Sequence, residues 1–100
     1  MYYLLLYKSD EGYAERRAPF REEHLAHAKA AAARGELYLG GALADPIDGA
    51  VLIFKGNGPE VAKAFAEADP YVRNGVVLSF EVRPWTVMTG CGMKNEEGSG

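Results

Sequence analysis

Cysteine is almost missing from this chain: among 100 residues only Cys91 carries a thiol. A lone thiol closes no internal disulfide and builds no metal cluster, so the chain reads as an intracellular, cytoplasmic protein of a reducing compartment. Positive charge is also in short supply. Eleven Lys and Arg face fourteen Asp and Glu, a net charge of −3, and the only adjacent pair of cations is Arg16-Arg17. That balance offers no basic footprint for nucleic acid. Long apolar runs are lacking too. Tyr2-Tyr3-Leu4-Leu5-Leu6-Tyr7 stops at Lys8-Ser9-Asp10, far short of a membrane span and with the wrong flanks for a leader. No serine sits in a nucleophile motif: Ser9 and Ser79 lack the context, and Cys91 lies near the end of the chain.

What is present is enough for one modest core. Residues 2–8 have Tyr2, Leu4 and Leu6 on one face and Tyr3, Leu5 and Tyr7 on the other. A strand apolar on both sides is covered on both sides. A loop and a lead-in to about Pro19 precede a long alanine-rich helix that runs to Arg34 and stops at Gly35. Leu37–Leu43 reads as a second strand with Gly40 and Gly41 inside it, and Asp45–Gly49 as a hairpin turn. Ala50–Lys55 is the third strand. Pro59 opens a second helix on which Val61, Ala64, Phe65 and Ala68 form an apolar stripe. Val76–Arg83 is the last strand, closed by Pro84-Trp85. The order is βαββαβ, an α+β, ferredoxin-like arrangement: a four-stranded antiparallel sheet with both helices on one face. The other sheet face then needs a cover, and a second copy of the chain supplies one, which predicts a homodimer with sheets face to face. The domain spans 1–89. Residues 90–100 have no core-forming pattern and are expected to be flexible or held by a partner.

Two residues stand out for chemistry. On a wheel at 100° per residue, Glu22, Glu23, Lys29 and Arg34 share one side of the first helix with Ala26, Ala30 and Ala33. Phe20, His24, Leu25, Ala28, Ala31 and Ala32 share the other. His24 lies within this uncharged arc, whereas His27 falls at its border and is assigned no role. Arg21 also falls in the arc, which requires either a snorkelling stem or an anionic partner. The second residue is Asp69, where the helix must stop because Pro70 follows. Its carboxylate either caps nearby backbone amides or points elsewhere. Asn74-Gly75 then offers a left-handed stop.

The segments Glu23-His24-Leu25, Gly41, and Ala66-Glu67-Ala68-Asp69-Pro70-Tyr71 followed by Gly75-Val76 resemble the YciI-like, or YCII-related, family over residues 2–87. The resemblance implies a dimeric ferredoxin-like α/β barrel and a His–Asp pair, here His24 and Asp69. Asp69 accepting from one ring nitrogen of His24 would fix the tautomer and leave the other nitrogen to move a proton. The expected activity is acid–base chemistry of lyase, hydrolase or isomerase type on a small organic substrate, with neither metal nor cofactor. Tyr7, Gly40, Gly41 and Tyr71 are the expected substrate contacts, the glycines because they let a ligand approach the strand. Two other readings compete: a non-catalytic dimeric binding or accessory domain, and a haem module of the same barrel type. The acidic neighbour of His24 and the lack of an attachment motif speak against haem.

Overall fold

The first strand organises the molecule because both its neighbours in the sheet pair with it. In the computed structural model, which describes residues 1–91, β1 (Tyr2–Lys8) runs antiparallel to β3 (Gly49–Lys55) on one side and to β4 (Ser79–Trp85) on the other. β2 (Leu37–Ala42) pairs outside β3, which gives the order β2-β3-β1-β4. This is the antiparallel ferredoxin-like sheet that the element order requires. The expected tail is residues 90–100, of which 92–100 lie outside the described residues.

The pleat divides β1 as its sequence alternates. Tyr3, Leu5 and Tyr7 are buried toward the helices, beside Ala50, Leu52 and Phe54 of β3. Fully burying a side chain such as Leu5 contributes about 1.5–3 kcal/mol. Tyr2, Leu4 and Leu6 face the other way with Val51 and Ile53. Tyr2 there meets Tyr38 edge to face, with ring centroids 5.7 Å apart.

The helical layer departs from expectation at three points. The lead-in is itself helical: α1 (Tyr13–Arg17) and a 3-10 turn (Ala18–Phe20) precede α2 (Arg21–Ala33). Pro19 therefore sits in the 3-10 turn and not in the first turn of a single long helix. Tyr13 drives this, since it is almost fully buried in the core while Glu11 and Glu15 on either side of it stay outside. Next, the buried stripe of α3 (Glu60–Ala68) is Ala62, Phe65 and Ala66, and Ala64 and Ala68 are exposed. The expected stripe is rotated by one residue. Finally, His27, half-buried at the border of its arc, does have a structural role. Its Nε2 donates to the Phe65 carbonyl at 2.9 Å and its ring stacks on Phe65 at 4.2 Å, so it joins α2 to α3.

The last strand also begins later than its β-branched run suggests. Val76 and Val77 are buried, but both amides bond back to the Tyr71 carbonyl, at 2.9 and 3.0 Å, closing the turn after α4 (Pro70–Arg73). Gly75 supplies that turn with φ +72°. Pro84 lies inside β4, which is tolerated because β4 is a sheet edge. Arg16 ties the turn to the end of β1: its guanidinium donates to Asp10, to the Ser9 hydroxyl and to the Val76 carbonyl. The same guanidinium holds the Asp10 carboxyl below its ordinary range.

Candidate active site

Asp69 is set in place by two helices at once. Its position continues the buried stripe of α3, at i+7 from Ala62, and its backbone turns extended (φ −74°, ψ 125°) ahead of Pro70. It therefore ends α3 and caps the four-residue α4, with Oδ1 accepting the Tyr71 amide at 3.0 Å. Both readings of this carboxylate prove true together, because the cap leaves it capacity for more donors. The Tyr7 hydroxyl donates to Oδ2 at 2.6 Å. His24 Nδ1 lies 2.9 Å from Oδ1 and 3.0 Å from Oδ2. The side chain of Asp69 has no solvent exposure, so these three donors replace the water it gave up.

The chemistry of that arrangement fixes the state of the imidazole. A carboxylate only accepts, so the proton of neutral His24 resides on Nδ1. Nε2 is left with a free lone pair and has no protein partner among the described residues. The ring is held flat against Tyr71, with centroids 3.9 Å apart and planes within 5°. A fixed tautomer, a fixed ring plane and an anion behind the ring are what a general base needs.

His24 forms part of the wall of a cavity of about 300 Å³ between α2 and the edge of the sheet. That is the low end of the range for small-molecule sites. Leu25 and Ala28 continue the helical wall, Leu37 and Leu52 supply an apolar floor, and Gly40 and Gly41 form the strand side. Gly41 has nothing within 4 Å of where a Cβ would stand, whereas a Cβ on Gly40 would press on Leu52 at 3.3 Å. Of the expected contacts, Gly40, Gly41 and Tyr71 line the cavity. Tyr7 lies one layer behind, 2% exposed, with its hydroxyl on Asp69 and not on the cavity wall. Burial, followed by the charge of Asp69, pushes the Tyr7 phenol far above its ordinary range. Burial likewise raises Tyr13 and Tyr71.

Among the polar residues of the wall, Tyr13, Arg17 and Arg21 have no counterpart among the expected contacts. Tyr13 and Arg17 were hidden by the unrecognised α1. Arg21 did leave a signal, a cation inside the uncharged arc of its helix. Among the described residues no group of three or more His, Cys, Asp or Glu is placed to hold a metal ion.

The model of the YCII-related domain matches residues 1–86. The chain belongs to the YCII-related family. No curated protein shows a match. Among solved structures, this member of the family shares its fold with 5-chloro-2-hydroxyhydroquinone dehydrochlorinase from Burkholderia phenoliruptrix, determined in complex with 2,5-dihydroxybenzoquinone. The TM-score is 0.72 at 22% identity, covering 86% of this chain and 94% of the other. At that identity the likeness is one of fold.

Proposed function

We propose that this protein is a small-molecule enzyme of lyase type that works by acid–base chemistry at His24. The observation that carries the reading is the buried Asp69 carboxylate holding His24 through Nδ1 while the ring stands in the cavity wall. Nε2 takes a proton from a C–H or O–H of the bound molecule. The electron pair so released forms a new double bond within the substrate, and the bond to the leaving group breaks with its pair departing on that group. Asp69 stabilises the imidazolium that forms, which then returns its proton to water or to the departing group. Tyr7 and the Tyr71 amide keep Asp69 in place, Tyr71 keeps the ring in plane, and Gly40 and Gly41 admit the substrate against β2. The dehydrochlorinase that shares the fold makes elimination of HCl from a hydroxylated ring the first chemistry to assay. This scheme draws on no cofactor. A reducing cytoplasmic setting suits the single cysteine, and two copies pair through the open sheet face.

The test is turnover of a panel of chlorinated hydroquinones and hydroxyhydroquinones, followed by chloride release and by quinone absorbance. His24→Ala is expected to remove about 10²-fold or more of the rate, and Asp69→Asn a comparable share, because an amide neither fixes the same tautomer nor stabilises an imidazolium. Ligand binding in the cavity without turnover of any panel member would favour the second reading, a non-catalytic binding domain. A ¹⁵N spectrum of the imidazole adds a readout independent of substrate. The expected tautomer is Nδ1–H in the wild type, and Nε2–H there would remove the base from the scheme.

A further inference from the structure

The cavity has a charge that its proposed chemistry does not use. Arg17, the last residue of α1, and Arg21, the first of α2, both line it, and no Asp or Glu does. The Asp69 carboxylate lies behind the wall with its side chain fully covered. Neither guanidinium pairs with an acid among the described residues: the ion pairs there are Arg16–Asp10, His24–Asp69 and Arg34–Glu36. Arg17 lies over the Tyr13 ring, 5.5 Å from its centroid, which orients the guanidinium without neutralising it. The two arginines are four residues apart on a nearly continuous helical run, a spacing at which like charges repel. All this occurs in a chain whose net charge is −3. A cavity walled by unpaired cations in an acidic protein is complementary to an anion.

We propose that Arg17 and Arg21 form an oxyanion-recognition subsite, and that the substrate is a small ring carrying an ionised oxygen, either a carboxylate or a ring oxide. The inference deepens the reading of this cavity as the active site and rests on it. The apolar remainder of the wall (Leu25, Leu37 and Leu52 with the Tyr13 and Tyr71 rings) takes the body of the ring, and the volume of about 300 Å³ admits one such ring and not a polymer. The guanidinium is suited to this role because its planar fork meets a delocalised oxyanion with two parallel donors. Anchoring the charged end at the arginines turns the rest of the ring toward the histidine wall. Arg17 and Arg21 thus act as specificity and positioning residues, leaving proton transfer to His24.

The experiment uses matched probes that differ in charge: benzoate against benzamide, and 4-nitrophenolate at pH 8 against 4-nitroanisole. Binding is read from ¹H–¹⁵N spectra at the amides of Gly40, Gly41, Leu25 and Tyr71. Each anion is expected to bind about tenfold or more tightly than its neutral twin, and Arg17→Gln or Arg21→Gln to cost about tenfold for the anions only. Affinity should fall as salt is added. Preference for benzoate alone would assign the subsite to carboxylates, and preference for 4-nitrophenolate alone to ring oxides. Equal binding of charged and neutral twins, unchanged anion affinity in both glutamine variants, or no response of the cavity amides to either anion would each overturn the proposal. His24→Ala separates this inference from the reading it rests on. If anions bind as in wild type and that variant keeps its turnover, the acid–base assignment falls and the subsite stands.

Discussion

A single carboxylate with three donors concentrates much of the consequence of this fold at Asp69, and Tyr7 is the donor that sequence reasoning misplaced. Its aromatic ring on an apolar strand gave no sign of whether the hydroxyl faced a ligand or a buried acid. Asp69 lies 62 residues away in sequence, and only the fold reveals that the two meet. Tyr7→Phe is expected to lower stability at neutral pH by about 1.5–3 kcal/mol, the cost of a lost bond to a buried charged acceptor. The pH dependence follows from the raised phenol. The folded protein keeps the Tyr7 proton above the ordinary value of 10.0 at which the unfolded chain releases it. Its contribution is therefore complete below pH 10 and is lost as pH rises beyond it, by up to about 1.4 kcal/mol per pH unit. Urea titrations between pH 8 and 11 are expected to show stability falling above pH 10, with a shallower fall in Tyr7→Phe. Tyr13 and Tyr71, also raised by burial, leave a residual slope in that variant. Equal slopes in the two proteins would show that Tyr7 is not held neutral by the fold.

At the scale of the elements, the sequence revealed type and order better than phase. His24 and Asp69 were legible because each broke a local rule, a polar side chain within an uncharged arc and an acid fixed at a forced helix stop. The expected stripe of α3 falls one residue out because alanine takes every second position from Ala62 to Ala68, so an i, i+3, i+4, i+7 pattern can be drawn on more than one face. Asp69 itself marks the true face, since only the Ala62-Phe65-Ala66 stripe continues into a buried carboxylate. α1 went unread because five residues carry too little periodicity to register. The Asp-Gly signal places Gly49 in the hairpin turn, but it is the first residue of β3, opposite Lys8, and a Cβ there would meet the Tyr7 carbonyl oxygen at 2.5 Å. That obstacle is backbone and cannot rotate away. Gly49→Ala is expected to cost about 1–3 kcal/mol, as overpacking does. It should also weaken ligand binding in the cavity, because β1 carries the hydroxyl that holds Asp69. Gly41→Ala, with open space at its Cβ, serves as the control and should leave stability within about 0.5 kcal/mol of wild type. A melting temperature for Gly49→Ala equal to that of Gly41→Ala would mean that β1 and β3 can move apart freely.

At the scale of the whole molecule, the helices cover only one side of a sheet that is apolar on both. On the uncovered side Leu4, Leu6, Val51 and Ile53 occupy adjacent register positions at the middle of the sheet, with Tyr2 buried beside them and Leu39 62% exposed at the edge. Glu81 and Arg83 of β4 pair with Leu6 and Leu4 across the same face, and Lys55 lies over the Tyr2 and Tyr38 rings at one end, so its charge is kept to the margins. A patch of this kind on a monomer would be costly to leave in water. Pairing two copies sheet to sheet removes it and sets the two patches against each other in an isologous contact. The expected burial is near the 800 Å² or so per partner typical of stable assemblies. Light scattering at micromolar concentration should therefore give about twice the 10.9 kDa of one chain. Ile53→Glu places a carboxylate at the centre of the patch while leaving the helical core untouched, and it should yield a folded monomer. A wild type of monomeric mass that is still folded would end the pairing argument. A mutant that stays dimeric would show that the copies meet through another surface, and the cover of this sheet face would then have to come from elsewhere.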